Sequence, residues 1–259
     1  MSREPNAWRY TATSLASVAV LVGLWVLLSG GEFVRRAVLP APWELWDSFR
    51  AMLQDGYADK ALSRHVLASV FRTLSGFGFA LLLGIPVGLL IGWNRWVSAA
   101  FSPILAFVRP IPPIAFVPLF ILYFGIGETA KVLVIFLVAF WYMILNASAG
   151  VAAVSQEWVR AGLNLGLTRR QLFMSVILPA ALPQIFTGIK TAIAVSWALV
   201  VAAELIAAQE GIGYIIMDAA TFNRTHAVFI GIIIIGLIGF GLERVVAMFE
   251  ARALHWQGR

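Results

Sequence analysis

The chain has 259 residues, of which 61% are hydrophobic and 12% are charged, and it contains no cysteine. A water-soluble domain is usually about 45–50% apolar and about 25% charged, so this composition, with a mean hydropathy of +0.87, indicates a membrane protein. Disulfides, thiol chemistry and cysteine-ligated metals are excluded. The net charge is +6, but the basic residues are scattered, so we expect no nucleic-acid partner and attribute the excess to the cytoplasmic side of a membrane protein.

Six apolar stretches predict membrane spans, because about 20 residues of helix cross a hydrocarbon core of about 30 Å. They lie at about 11–29, 65–92, 101–124, 129–149, 176–208 and 227–248. The first follows two arginines and also resembles a signal peptide, but the run is long and no clear cleavage site ends it, so we expect a retained span. The sequence therefore predicts an all-α membrane protein with one transmembrane domain over residues 1–259.

Six spans place both termini on one side of the membrane. The basic N-terminus, Arg95, the arginines of the 156–175 loop and the basic tail all share that side. Positive charge concentrates in cytoplasmic loops. We therefore expect both termini in the cytoplasm, with the polar loops at 32–64 and 209–226 outside.

Gly84, Gly88 and Gly92 recur every four residues in the second predicted span. Small residues at this spacing let the backbone of another helix approach closely. The approaching helix belongs either to the same chain or to a second subunit, and the sequence leaves both alternatives open.

The third predicted span has an unusual centre, Arg109-Pro110-Ile111-Pro112-Pro113. Each proline removes a backbone donor and disfavours helix in the preceding residue. Broken backbone at membrane depth is tolerated only against protein or a water-filled cavity. Pro110, Pro112 and Pro113 therefore mark the first candidate for a translocation path.

Ionisable side chains within spans usually face a cavity or a partner. Arg109 is the candidate that senses an anionic head group, or else it caps carbonyls of the broken helix. Glu204 either latches an outer gate or is a plain interfacial residue, and Trp197 either lines the path or packs against other helices. Arg72 and Lys190 can snorkel towards a membrane surface, and we assign them no role.

No catalytic or metal site is visible. The three histidines are far apart and form no zinc-binding pair on one helix. Neither a Gly-x-Ser-x-Gly elbow nor a phosphate-binding loop occurs. We therefore expect a non-catalytic protein without a metal or cofactor of its own, which draws any energy for uphill transport from a partner or an ion gradient.

The polar loop before the fifth span carries a pattern of small residues, a glycine and a Leu-Pro ending at fixed spacing. Its positions are Arg160, Ala161, Gly162, Gly166, Val176, Leu178 and Pro179. The pattern resembles the E-A-A-x-x-x-G-x9-I-x-L-P signature of ABC importer permeases. Arg160 replaces the glutamate, Gly162 the second alanine and Val176 the isoleucine. In physical terms the signature describes a short helix, a glycine turn and a helix that re-enters the membrane.

The resemblance extends to the segments 109–113, 124–131, 177–183 and 202–208, which are similar to the taurine, alkyl-sulfonate and nitrate permease branch. The first and last of these segments are most like taurine permeases. The similarity runs from about residue 39 to the C-terminus. It implies a type I ABC importer permease fold with six transmembrane helices and a cytoplasmic coupling helix at about 157–172.

The resemblance also implies partners and a task. Two permease copies, most simply a homodimer, work with two cytoplasmic ATPase subunits that bind ATP and Mg, and with a periplasmic substrate-binding protein. Residues 160, 161, 162, 166, 178 and 179 are implied in coupling to the ATPase. The expected place is the bacterial inner membrane, and the expected solute is a small anion or zwitterion, with taurine or another alkyl sulfonate favoured, imported by alternating access.

Two alternatives stay open. The same family also implies importers of nitrate or of a vitamin precursor. An ion-coupled secondary transporter belongs to a different class, which tends to show internal repeats and intramembrane carboxylates. No convincing repeat is seen here, and acidic residues such as Glu204 are few in the predicted spans.

Overall fold

The computed structural model describes residues 7–30 and 38–256, and the regular elements in these ranges are helices. A 3₁₀ turn at Pro113–Ala115 precedes the fifth helix, and a π turn at Phe173–Ile177 precedes the ninth. The helices are α1 (Ala7–Gly30), α2 (Pro42–Gln54), α3 (Leu62–Trp93), α4 (Arg95–Val108), α5 (Phe116–Phe124), α6 (Glu128–Ala152), α7 (Gln156–Asn164), α8 (Arg169–Leu172), α9 (Leu178–Ala207), α10 (Ile212–Thr221) and α11 (Thr225–Ala253).

Five helical stretches in the described residues are long and apolar enough to cross a membrane, and a sixth span results if α4 and α5 count as one. The segments Arg95–Val108 and Pro113–Phe124 meet at an angle of 83°. The all-α membrane fold with up to six spans is confirmed, and its break lies at the predicted prolines. Helical structure begins at Arg169, ahead of the predicted fifth span at about 176–208. It continues through the π turn at Phe173–Ile177 and past Pro179 in α9.

The chain divides into two compact units. One comprises Met1–Ser63 and Ile215–Ile233, and the other comprises Arg64–Tyr214 and Ile234–Arg259. The candidate site described below lies entirely in the second unit.

Side-chain hydrogen bonds connect distant segments of the first unit. Trp25 Nε1 donates to the Pro40 carbonyl oxygen at 3.1 Å, and the Tyr57 hydroxyl donates to Asp218 Oδ2 at 2.7 Å. Burial of the phenol, together with the nearby Asp218 carboxylate, raises the pKa of Tyr57 to about 12. The hydroxyl therefore stays protonated, and able to donate, throughout the ordinary pH range.

In the second unit α3 packs against α6 along a row of glycines. A Cβ atom placed on Gly88 would lie 2.7 Å from the Ala147 Cβ and 2.8 Å from the Ile144 carbonyl oxygen. Gly84 and Gly92 approach α6 equally closely. The glycine repeat therefore serves a helix contact inside the chain, which is the first of the two alternatives that the sequence left open.

We predict that Gly88→Ala lowers the thermal unfolding midpoint of the purified protein. The added methyl group would have to displace backbone atoms of α6, and overpacking of this kind typically costs about 1–3 kcal/mol. Gly78 is the matched control, because it lies in the same helix and an added Cβ meets nothing within 4 Å. Gly78→Ala should be neutral or stabilising, by up to about 1 kcal/mol. Equal midpoints for the two variants would contradict the close packing of α3 on α6.

Candidate functional site

A cavity of about 830 Å³ lies beside the break between α4 and α5. Its walls come from α4, the start of α5, the second half of α6 and the end of α3. None of its lining residues is Asp or Glu, so Arg109 is the single charged group among them. The lining side chains that carry a hydroxyl, amide or guanidinium group are Ser98, Ser102, Arg109, Tyr142, Asn146 and Ser148.

The Arg109 guanidinium makes no hydrogen bond or ion pair with any residue that the structure describes. The end of α4 is closed instead by backbone bonds, since the Arg109 N–H donates to the Leu105 carbonyl and the Ile111 N–H donates to the Val108 carbonyl, each at 3.0 Å. The structure thus does not show Arg109 capping the broken helix. An unpaired cation at membrane depth is costly unless it faces water or an anion.

The prolines explain why Arg109 lies at this position. Pro110 follows it directly, and Pro112 and Pro113 follow within four residues, so three of the four residues after Arg109 have no N–H to continue α4. The N–H of the fourth, Ile111, donates to Val108 in a tighter turn. Pro113 begins the 3₁₀ turn and lines the cavity. Pro110 and Pro112 lie in the break itself, outside the cavity lining.

Asn146 is a second polar side chain of the cavity, and its orientation is determined by neighbours. Its Nδ2 donates to the Tyr142 carbonyl oxygen at 2.9 Å, and its Oδ1 accepts from Gln184 Nε2 at 2.9 Å. One N–H of Asn146 remains free to donate. The cavity therefore offers a guanidinium, an amide N–H and several hydroxyls, a set that suits a ligand rich in hydrogen-bond acceptors.

An ionic network, here called the Arg72 network, lies near the opposite ends of α3 and α6, and its Glu128 side chain is 58% exposed. Arg72 donates from Nε and Nη2 to the Glu128 carboxylate and from Nη1 to Glu204 Oε1, the last at 2.6 Å. The side chains of Arg72 and Glu204 are fully buried. Lys131 pairs with Glu128 at 3.1 Å, so two cations face two carboxylates.

The Glu204 carboxylate also binds the beginning of α10. The Gly213 N–H donates to Glu204 Oε2 at 2.9 Å, and the Ile212 N–H donates to Ser69 Oγ at 2.9 Å. Ser69 in turn donates to the carboxylate. The first N–H groups of a helix have no intrahelical partner and favour negative charge. The Gly211-Ile212-Gly213 segment is therefore a helix start, not a phosphate-binding loop.

Two residues predicted for the path, Trp197 and Glu204, do not line the cavity. Trp197 is buried, and its Nε1 donates to the Ile235 carbonyl oxygen at 3.0 Å. Glu204 belongs to the Arg72 network. Their role in the path or gate stays a prediction, and so does that of Arg109, which does lie in the cavity.

Sequence reasoning missed the roles of Arg72 and Lys190. Arg72 lies 56 and 132 positions from its two carboxylate partners, and Lys190 pairs with Glu250, so no local pattern connects them. The sequence did contain one signal for the Arg72 pairs. Arg72, Glu128 and Glu204 each lie near the end of a predicted span, so opposite charges occur at similar membrane depth.

The loop before α9 folds as helix, glycine turn and helix. Gly166 has φ of +80°, which glycine adopts without strain, and Gly162 is buried against Leu172. The exposed Trp158 on α7 and Leu165, the residue directly after α7, lie at helical spacings of three and four residues from Ala161, which places the three on one face.

Exposed large apolar side chains on a polar loop are typical of a protein contact. Of the remaining signature residues, Arg160 is exposed on α7, and Leu178 and Pro179 begin α9. The loop therefore has the local structure that the signature predicted, with an apolar face left uncovered in this chain.

Residues 84–255 match the family described as the binding-protein-dependent transport system inner membrane component. The chain belongs to this family of transport permeases. The permease is 37% identical over 251 residues to the taurine transport system permease protein TauC of Escherichia coli (strain K12), covering 96% of this chain and 91% of TauC. It is 34% identical over 256 residues to the putative aliphatic sulfonates transport permease protein SsuC of Bacillus subtilis (strain 168), covering 98% and 91%.

The permease is also 32% identical over 240 residues to the nitrate import permease protein NrtB of Synechocystis sp., covering 91% of this chain and 86% of NrtB. Among solved structures it resembles a chain of the MetNI methionine ABC transporter, with a TM-score of 0.56 and 22% identity over 71% of this chain and 95% of that one. The predicted family, branch and type I fold are confirmed, and membership decides against an ion-coupled secondary transporter.

We predict that Arg72→Met strongly destabilises the permease. Removal of one partner from a buried ion pair leaves an uncompensated charge and costs about 3–5 kcal/mol. Arg64 is the matched control, since its side chain is 65% exposed in its pair with Glu210 and surface pairs contribute about 0–1 kcal/mol. Thermal unfolding of purified Arg72→Met and Arg64→Met checks this difference. An Arg72→Met protein as stable as Arg64→Met would show that the network carries little stability.

Proposed function

We propose that this permease is the non-catalytic membrane subunit of an ATP-driven importer for a small organic anion or zwitterion, with taurine or another alkyl sulfonate favoured. The observation that carries the proposal is the cavity beside the broken span, in which the unpaired Arg109 is the single charged lining group. A sulfonate presents three acceptor oxygens and one negative charge, which a guanidinium binds with charge-assisted hydrogen bonds. Relatives named for taurine, aliphatic sulfonates and nitrate support an oxyanion.

The proposed energy source is a pair of cytoplasmic ATPase subunits that bind ATP and Mg. The uncovered face of α7, with Trp158, Ala161 and Leu165, supports a protein partner at this loop. In the proposed complex the segment at about 157–172 seats in a groove of the ATPase. Its movement passes through the continuous helical stretch Arg169–Ile206 into the membrane.

The proposed setting is the bacterial inner membrane with both termini in the cytoplasm. In this orientation the cavity, which is lined by the ends of α3 and α6 and by α4, lies in the cytoplasmic half. The Arg72 network lies towards the outside. The arrangement fits the inward-facing stage of alternating access, in which a periplasmic binding protein delivers solute when the path opens outward.

A second copy of the permease is proposed because Arg109 and the hydroxyls of the cavity cannot face lipid without cost. A homodimer would enclose two such half-cavities in one path. Nitrate is the second candidate solute, since the likeness to a nitrate permease nearly equals that to the sulfonate permease.

The proposal is tested by reconstituting the permease with its ATPase and binding protein in lipid vesicles. Uptake of labelled taurine, other alkyl sulfonates, nitrate and a pyrimidine vitamin precursor is measured with and without ATP. We expect ATP-dependent uptake of a sulfonate. Uptake that continues without ATP contradicts the energy source, and ATP-driven uptake of nitrate alone contradicts the favoured solute.

We predict that Arg109→Gln reduces uptake by about tenfold or more, because a hydrogen bond to a charged group is worth about 1.5–3 kcal/mol and about 1.4 kcal/mol corresponds to a factor of ten. Arg95→Gln is the matched control, since Arg95 stacks on Trp96 and does not line the cavity. Co-purification of the ATPase should be equal for both variants. Normal uptake by Arg109→Gln would remove the head-group role.

We predict that Ala161→Arg weakens binding of the ATPase, because a long charged side chain would hold the face of α7 away from the groove. Leu163→Arg is the control, as Leu163 is also exposed on α7 but lies away from the Trp158–Leu165 face. Co-purification and ATPase rate in membranes are the measurements. Equal retention of the ATPase by both variants would show that this face is not the contact.

A further inference from the structure

The Arg72 network connects four parts of the second unit. Arg72 lies in α3, Glu128 begins α6, and Glu204 lies near the end of α9. The fourth part is the segment 208–213, whose backbone is bound directly, since Arg72 Nη1 donates to the Glu210 carbonyl oxygen at 2.8 Å. Only α9 and the segment 208–213 are neighbours along the chain, so side chains provide the connection of these two to α3 and α6.

Three successive backbone N–H groups at the start of α10 donate hydrogen bonds to side chains of α3 and α9. Besides the bonds to Ser69 and Glu204, the Gly211 N–H donates to His65 Nδ1 at 3.1 Å. The side chains of His65, Ser69 and Arg72 are completely buried. The backbone of Gly213 packs closely against α9, because an added Cβ would lie 2.7 Å from the Glu204 Cβ.

The charges of the network are balanced, and each of its charged groups forms at least one ion pair. Arg72 donates through all three guanidinium nitrogens, and the Glu204 carboxylate accepts from Arg72, Ser69 and Gly213. Separation of the pair would strand a buried ion, at several kcal/mol for each ion. Segments that open in each functional cycle are drawn from the least stable parts of a fold. The Arg72–Glu204 pair is not such a part, because both side chains are fully buried.

The row of glycines extends the same body along α3 and α6. It begins at Gly76, where an added Cβ would lie 2.8 Å from the Val132 carbonyl oxygen, and reaches Gly92, at 2.8 Å from the Ser148 carbonyl oxygen. The two glycines are 16 positions apart, which corresponds to about 24 Å of helix. Close contact therefore continues from the network to the cavity.

We infer that the Arg72 network is a permanent clamp, which stays closed through the whole transport cycle and joins α3, α6, α9 and 208–213 into one rigid body. Arg72 and Glu204 are then positioning residues and not parts of a gate. The path opens elsewhere, by movement of this body against its surroundings. The uptake experiment below rests on the proposed transport function, whereas the hydrogen-exchange experiment does not.

A cross-link across the clamp tests the inference. The chain has no cysteine, and the rings of His65 in α3 and Tyr214 in α10 stack with centroids 6.0 Å apart. A His65→Cys/Tyr214→Cys permease is reconstituted with its ATPase and binding protein and bridged by a short, reducible bifunctional thiol reagent. The reduced form of the same protein is the reference, so any effect of the substitutions themselves cancels.

We expect the bridge to form in resting vesicles and to leave ATP-driven uptake unchanged. Loss of uptake that a reductant restores would overturn the clamp and make the network a gate. Failure of the bridge to form would overturn the juxtaposition of α3 and α10. A Ser102→Cys/Ser148→Cys pair, bridged across the cavity, is the control and should block uptake under alternating access.

A second readout needs neither solute nor ATPase. Amide hydrogen exchange at Gly211, Ile212 and Gly213 is measured on the permease in lipid nanodiscs. We expect these amides to exchange far more slowly than those of the exposed loop 222–224, and Arg72→Met to remove the protection. Fast exchange in the unmodified protein would overturn the clamp. Protected amides combined with no uptake of any solute would contradict the proposed function alone.

Discussion

A charge inside a membrane must be paired or must face water, because lipid offers it neither a counter-ion nor a hydrogen bond. The structure meets this requirement in two opposite ways. Arg72 is buried and fully paired, with two carboxylates and a backbone carbonyl as acceptors. Arg109 is exposed and unpaired beside a helix break. The first arrangement makes one end of the second unit rigid, and the second requires a polar space at the broken span.

The paired Arg72 and the unpaired Arg109 have different roles in the proposed transport cycle. The continuous helical stretch Arg169–Ile206 carries Glu204 near one end and follows the α7 loop at the other. Its 38 residues correspond to about 57 Å at 1.5 Å per residue. A displacement of the loop by a partner would therefore reach the Arg72 network without passing through a flexible joint. The joint lies instead at 109–112, where the prolines interrupt hydrogen bonding.

The features that the sequence predicted are those with local causes. Pro110, Pro112 and Pro113 remove donors within one turn, and the helix breaks there. Gly166 in the signature predicted a turn, and its positive φ agrees with that. The spacing of Gly84, Gly88 and Gly92 predicted a close helix contact, but spacing on one helix says nothing about the identity of its partner.

The features that the sequence did not predict depend on residues far apart in the chain. The partners of Arg72 could not be inferred, because charge pairing across 56 and 132 residues has no periodic signature. The sequence around Trp197 did not indicate that its indole N–H donates to a backbone carbonyl of α11. Helical structure begins at Arg169, ahead of the predicted fifth span, because arginine is a good helix former and does not end a helix.

The central claim is that Arg109 faces a water-filled path for an anion, and the accessibility of its cavity tests this most directly. Ser102→Cys, in the chain that has no other thiol, is exposed to a membrane-impermeant thiol reagent from the cytoplasmic side of sealed vesicles. Leu82→Cys is the lipid-facing comparison, since Leu82 is exposed on α3 and lies outside the cavity. We expect rapid labelling at residue 102, slowed by taurine, and little labelling at residue 82. Equal, slow labelling at both positions would contradict the claim.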